Sequence, residues 1–361
     1  MTVGFYSPLP PAATGVADYS VSLLSWLRKF GDVETSPETC DIALYHVGNN
    51  ALHRDIYCQA LRKPGVVVLH DAVLHHFFLG TLGQEEYIEE FVYNYGEQAR
   101  DEARELWDQR ARSGGDARYF SHPMLKRIAT AARAVIVHNP AAAAFVSEHA
   151  PTARVFEIPH LFQPPVLPSC GETFGFRESL GLSRETLLLG TFGHQRETKR
   201  LAVLLRAFRR ADVDARLLVS GEFASSAFEN AMAAVLKHPS IIRTGYLPEP
   251  DFWHYAAATD ACVNLRYPSA AETSGIGIRM MGIGKPVIFT AGEALARLPA
   301  NACLRVDAGA DEERMLAAYI RWLAENPDTR VEIGRRAAAH IAQYHAAERV
   351  AREYWNVINT G

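Results

Sequence analysis

The sequence predicts an α/β protein of two doubly wound domains facing each other across a central cleft. Three observations predict it. Short β-branched runs recur, each followed by a helical pattern. The runs are almost continuously apolar, as parallel strands covered on both faces must be. They fall into two sets, separated by a proline-rich stretch without periodicity.

The first set is Val3–Ser7, Asp41–Val47, Gly65–His70, Ala134–Asn139 and Arg154–Pro159. Leu161–Gly171, with Pro164, Pro165 and Pro168, reads as the linker. The second set is Leu187–Gly193, Ala215–Gly221, Ile241–Tyr246, Ala261–Tyr267, Pro286–Thr290 and Cys303–Val306. Leu201, Leu204, Leu205 and Phe208 lie at i, i+3, i+4 and i+7, one apolar helical face. A second helix is expected from Thr273–Ser274, which supply its N-cap, to the stop at Gly284, Lys285 and Pro286. In the tail, Met315, Tyr319, Trp322 and Leu323 share a face, and Val350, Tyr354 and Val357 mark a last helix. The division expected is residues 1–165, residues 166–340 and a closing helix over 341–361. Residues 98–127, rich in Arg, Asp and Glu, read as a solvated helix pair.

Composition narrows the function. The 361 residues are 48% hydrophobic and 22% charged, an ordinary globular balance. A formal net charge of −4 gives no basic field for nucleic acid. Arginine dominates the bases, so Lys199 stands out among six lysines: Lys29, Lys63, Lys126, Lys199, Lys237 and Lys285. No apolar run approaches the ~18–20 residues that span a bilayer, and Met1–Pro11 lacks a signal-peptide pattern. Five scattered cysteines without a CxxC pair fit a reduced cytoplasm and no structural zinc.

Loops at the carboxyl ends of the strands are where such folds bind ligands. Gly15 follows the first strand and opens a helix, where a bare backbone and the helix dipole suit an anion. The loop is not GxGxxG, and no acidic residue closes a second strand, so a dinucleotide dehydrogenase is disfavoured. His70 and Asp71 end another strand. His75 and His76 follow but lack metal-ligand spacing. In the second half, Gly193, His194, Arg196, Lys199 and Arg200 gather before a helix. The dipole disfavours cations there, and a bound diphosphate would supply the reason for them. Glu272, Thr273, Ser274, Gly275, Ile276 and Gly277 open the next helix: amides for a phosphate, and a carboxylate for sugar hydroxyls.

In this order and spacing, the motifs resemble the retaining glycosyltransferases of family 4, which have the GT-B fold of two Rossmann-like domains. The segments Tyr45–Asn49, Gly65–Asp71, Asn264–Pro268 and Glu272–Gly275 resemble a bacterial subgroup associated with cell-surface glycan synthesis. The resemblance implies a nucleoside-diphosphate-sugar donor, a glycan or lipid-linked acceptor held by the first domain, and no required metal or other cofactor. It also implies a cytoplasmic enzyme with peripheral contact at the inner membrane face. It places Gly15 against the diphosphate or acceptor, His70 near the reacting sugar, Lys199 on the diphosphate and Glu272 on the donor sugar. Arg196 would stand in for an arginine whose place His194 occupies. Gly245, Tyr246 and Leu247 lie where the nucleobase packs, and the last helix crosses back to the first domain. One departure stands out. The family's second glutamate falls on Met280, or on Arg279 counted back from Gly284, and neither accepts a strong bond from a ribose hydroxyl. That departure leaves two rivals, a catalytically weak sugar-nucleotide-binding or scaffold subunit and a GT-B sugar-nucleotide epimerase.

Overall fold

Two six-stranded sheets, both wholly parallel, carry the chain. The structure is a computed structural model and describes residues 1–12 and 14–360; Ala13, in the loop after the first strand, lies outside them. The first sheet holds β1 (Thr2–Tyr6), β2 (Asp32–Thr35), β3 (Ile42–Val47), β4 (Val66–Leu69), β5 (Ala134–Val137) and β6 (Val155–Glu157), in the order β2-β1-β3-β4-β5-β6. The second holds β7 (Leu187–Thr191), β8 (Ala215–Ser220), β9 (Ile241–Gly245), β10 (Ala261–Asn264), β11 (Val287–Thr290) and β12 (Leu304–Val306), in the order β12-β11-β10-β7-β8-β9.

The apolar runs explain the centre of each sheet. Every residue of β3, β4, β5 and β10 is buried, because helices cover both faces. Each sheet therefore has a separate apolar cluster on either side. The chain reverses its direction of travel across the sheet between β1 and β3, and again between β7 and β10. Such switch points open a crevice at the strands' carboxyl ends. The loops carrying Gly15, Gly193 and Glu272 follow β1, β7 and β10.

Four sequence expectations need correction. Edge strand β2 was not expected, since only Val33 of its four residues is buried. The linker is shorter than Leu161–Gly171: a helix, Cys170–Ser179, starts inside it on a capping box between Ser169 and Glu172. Residues 98–127 form not a helix pair but a helix, Arg100–Asp108, among short 3₁₀ turns, with Lys126–Ala131 beginning at the end. In the helix Glu312–Glu325 the fully buried stripe is Leu316, Ala317, Ile320 and Leu323; Met315, Tyr319 and Trp322 flank it half-buried.

The last helix, Ala347–Thr360, crosses back to the first sheet. It buries Val350, Tyr354 and Val357 against Val3, Phe5, Tyr19 and Leu23. Tyr354 and Tyr19 join hydroxyls at 2.8 Å. No helix of the described residues is long and apolar enough to cross a membrane.

Candidate active site

The two sheets meet at the loop that follows β10. Ala72 N donates to Ala270 O at 2.9 Å. Asn139 donates to Ala271 O at 2.7 Å and to Thr273 Oγ1 at 3.0 Å. Thr273 Oγ1 donates in turn to His138 O at 3.3 Å. Thr273, a candidate donor ligand by sequence, thus has its hydroxyl engaged in clasping the two halves.

This closure surrounds Glu272 with charge. Its Oε2 accepts from Ala270 N at 2.8 Å and Ser269 Oγ at 3.0 Å. Its Oε1 lies 3.4 Å from Arg196 and 3.3 Å from Arg266. Burial raises the carboxyl's pKa, but Arg266 and Arg196 outweigh it and hold the group below its usual range. Arg266 leaves the carboxyl end of β10 half-buried; its Nε is ion-paired with Glu272, and its buried Nη1 has no hydrogen-bond acceptor. In the sequence Arg266 lies within Asn264–Pro268 with no role marked by spacing. A cation at the end of a central strand, just before an acidic loop, was the available signal.

Asp71 comes from the opposite half. Its carboxylate accepts from Asn49 N at 2.9 Å. Burial, then the nearby charge of Glu272, pushes its pKa up to about 6. Of the pair at the end of β4, Asp71 senses the charged cluster, whereas His70 turns into a different group. His70 Nε2 and His46 Nδ1 are hydrogen-bonded at 2.9 Å, and Tyr19 stacks edge-on to His70, ring centroids 5.1 Å apart. His138 and His160 pack on the same tyrosine. His75 and His76 are structural: His75 bonds Tyr87 at 2.7 Å, and His76 bonds Ser113 O at 3.1 Å.

Lys199 sits beside Gly193 with its ammonium buried and donating to the Phe192 carbonyl. Gly193 has φ +81°, and a Cβ there would lie 3.1 Å from Lys199 Nζ. Burial, with Arg266 and Arg196 near, drives the lysine's pKa well below its usual range. Lys199 lies in a 3₁₀ turn, Glu197–Lys199, and left-handed Arg200 separates it from the helix Leu201–Ala211. Arg200 turns away to pair with Glu312, which removes it from the cationic group. His194 is exposed, and Gln195 replaces it inside, donating to Gly193 O and Ser220 O.

The helix Gly275–Gly282 starts at Ser274, whose hydroxyl accepts from Gly277 N at 3.2 Å. Ser274 is thus an N-cap and Gly277's amide is occupied. A Cβ at Gly277 would come within 2.5 Å of the Phe289 ring, so packing explains that glycine. Gly275 faces His160 Nε2, 3.3 Å from where a Cβ would be, and half-buried Ile276 lies near Gly193. Gly15 opens its helix beneath the Thr14 cap, and a Cβ there would meet nothing within 4 Å. Tyr246 is 63% exposed and Leu247 half-buried, just ahead of the helix Glu249–Ala258.

Met280 is fully buried in the second half's core. The next position back carries half-buried Arg279, which bonds Glu249 at 2.6 Å and lies 4.4 Å from the ring centres of Phe252 and Trp253. Among the described residues no cluster of His, Cys, Asp and Glu could hold a metal ion.

Solved structures share this architecture from end to end. HepE of Anabaena in complex with UDP and glucose superposes with a TM-score of 0.70 at 14% identity, over 100% of both chains. The chain has the GT-B fold. Sucrose-phosphate synthase of Thermosynechococcus elongatus gives a TM-score of 0.71 at 15% identity, over 100% of this chain and 98% of that one. WaaG, a glycosyltransferase involved in lipopolysaccharide biosynthesis, gives 0.62 at 15% identity over 100% of both chains. No protein-family model and no curated protein sequence matches the chain.

Proposed function

We propose that the protein is a retaining glycosyltransferase of family 4 type, moving a sugar from a nucleoside-diphosphate donor to a hydroxyl of a glycan or lipid-linked acceptor. One observation carries the reading: Glu272, Arg266, Arg196 and Lys199 converge at the switch point of the second sheet, opposite Asp71 of the first. Similarity of fold to HepE, whose solved complexes contain UDP, glucose and UDP-glucose, supports the donor class.

In this reading the bond between the anomeric carbon and the diphosphate breaks, and negative charge grows on the departing phosphate. Lys199 and Arg266 stabilise that charge from within the fold, and Arg196 from the exposed side of the loop. Burial that disfavours the lone ammonium of Lys199 favours it once a diphosphate arrives. Glu272, fixed by Ser269 and Ala270, accepts from donor-sugar hydroxyls and orients the ring. The acceptor hydroxyl bonds to the anomeric carbon on the face the diphosphate leaves, and its proton passes to a donor phosphate oxygen. No protein nucleophile is needed. The cations carry the charge that a divalent metal would otherwise meet, so transfer continues in EDTA.

The ribose contact that Met280 cannot supply falls to Glu249. Arg279 holds its carboxylate at the start of the helix that follows Tyr246 and Leu247, the base-side residues. His70 and Gly15 wall the first half of the site, and Gly193, Gly275 and Ile276 line the diphosphate. The expected setting is the cytoplasm, with peripheral contact at the inner membrane face when the acceptor is lipid-linked.

Calorimetric titration with UDP, GDP and their sugars, followed by product analysis with and without glycan acceptors, tests the reading. One nucleotide series should bind, and its sugar should appear on an acceptor with anomeric configuration kept. Binding without transfer or hydrolysis would favour a scaffold subunit. Conversion of the free donor to an epimeric sugar would favour the epimerase.

A further inference from the structure

At the end of the first sheet remote from the cleft, a cysteine and a lysine meet. Cys40 lies just ahead of β3 and Lys63 just ahead of β4, at the amino ends of two paired strands. The candidate active site follows the carboxyl ends, so neither residue belongs to it. Lys63 Nζ donates to Cys40 Sγ at 3.3 Å and to Cys40 O at 3.0 Å.

The surroundings hold the two groups together. A Cβ at Gly4 would fall 2.8 Å from the sulfur, so the bare backbone of β1 makes room for it. The backbone of Lys63 is pinned at both ends: its N donates to Gln59 O at 2.9 Å, and its O accepts from the Tyr45 hydroxyl at 2.9 Å. Cys40 is half-buried and the Lys63 side chain exposed, so a small solute reaches both. Cysteines that react with oxidants occupy partly exposed positions beside a cation. Cys262 and Cys303 are buried instead. Among the described residues, Cys40 is the one cysteine whose sulfur receives a hydrogen bond from a lysine. Reacting atoms about 3–3.5 Å apart are already at near-attack separation.

We propose that Cys40 and Lys63 form a modification site, at which hydrogen peroxide joins the cysteine sulfur directly to the lysine nitrogen. The Cys40 thiolate attacks one peroxide oxygen and the O–O bond breaks, leaving a sulfenic acid and hydroxide. Sulfur loses two electrons and the peroxide gains them. Hydroxide takes a proton from the Lys63 ammonium and becomes water. The free amine attacks the sulfenic sulfur; an S–N bond forms, the S–O bond breaks, and the oxygen leaves as a second water with a proton from the nitrogen. Sulfenic acids condense with nearby nitrogen in this way, and the bond intercepts further oxidation to the irreversible sulfinic acid. Two equivalents of a thiol reverse it, returning the Cys40 thiol and the Lys63 amine and leaving as a disulfide.

The test treats the full chain with hydrogen peroxide, removes the excess with catalase, blocks thiols in denaturant and digests with trypsin for mass spectrometry. Trypsin cuts after Arg and Lys but not before proline. Lys63, followed by Pro64, therefore heads the peptide 63–100, and Cys40 is the one cysteine in the peptide 30–54. The expected product joins these two peptides, is lighter than their sum by two hydrogens, and separates in dithiothreitol. Lys63→Arg keeps a cation beside the sulfur but removes the attacking amine. There the joined product should vanish, and Cys40 should gain two or three oxygens instead. A wild-type Cys40 that stays a thiol, or passes to its acids without joining, overturns the proposal. So does a joined product that persists in Lys63→Arg, which would assign the bond to another nitrogen. The readout is a mass, so it stands or falls apart from any glycosyl transfer.

Discussion

The first half meets the cleft with imidazoles, and the second with arginines, a lysine and a glutamate. Burial keeps the imidazoles uncharged: His46 and His70 are driven well below the usual histidine range, His138 to about 4 and His160 to about 3. Tyr19 packs among His70, His138 and His160, and its hydroxyl anchors the last helix through Tyr354. Across the cleft, Arg196 and Arg266 share the carboxylate of Glu272, and burial, with those two arginines near, lowers the pKa of Lys199 well below its usual range. One half meets the cleft as a neutral group of imidazoles packed on Tyr19. The other stores unsatisfied positive charge and so is built for an anion. Asp71 is the first half's one acidic reach into that field.

Acid should break this contrast most strongly. Unfolded histidines protonate near pH 6.5, while these stay neutral in the fold. Below 6.5 the unfolded chain therefore binds more protons, and stability falls by roughly 1.4 kcal/mol per pH unit for each such histidine. The melting temperature should drop steeply from pH 6.5 toward 4; a flat profile would show the imidazoles to be solvated. Next in size, Lys199→Ala should lower turnover by about 10²–10³ with the fold intact, as for loss of one transition-state charge stabiliser. Asp71 runs the other way. Its folded pKa, about 6, exceeds the ordinary 3.8, so the stability it contributes is present below 3.8 and lost as pH rises through 6. Asp71→Asn should therefore stabilise at pH 7.5 by up to roughly 3 kcal/mol and show little gain at pH 4. Differential scanning calorimetry at both pH values reads it. Smallest is Glu272→Gln, which should weaken donor binding by about 1.5–3 kcal/mol through lost charge-assisted bonds. A fall in melting temperature with donor affinity unchanged would make Glu272 a loop brace only.

The second half was the more legible in sequence. Lys199, Arg196 and Glu272 stood near strand ends in short loops, and the structure brings them together. Arg266 and Asp71 were visible in the same motifs, but only the folded geometry shows that they face Glu272 from two sides. Thr273, Ser274 and Gly277 show the opposite limit. Their types suit a phosphate turn equally well as an interdomain clasp, a cap and a close ring contact, and spacing cannot separate these. The histidine group was illegible because His46, His70, His138 and His160 come from separate strand ends. Edge strand β2 lacked an apolar run, since one buried valine is all an edge strand needs there. The buried side of Met280 became plain only once the helix phase was fixed by Ser274.

Calorimetric titration of UDP and GDP into the wild type and Lys199→Ala at pH 7.5 tests the central claim most directly. If the second half gathers its cations for a diphosphate, one nucleotide should bind and Lys199→Ala should lose most of the affinity. No binding by the wild type, or affinity unchanged in Lys199→Ala, would contradict the account.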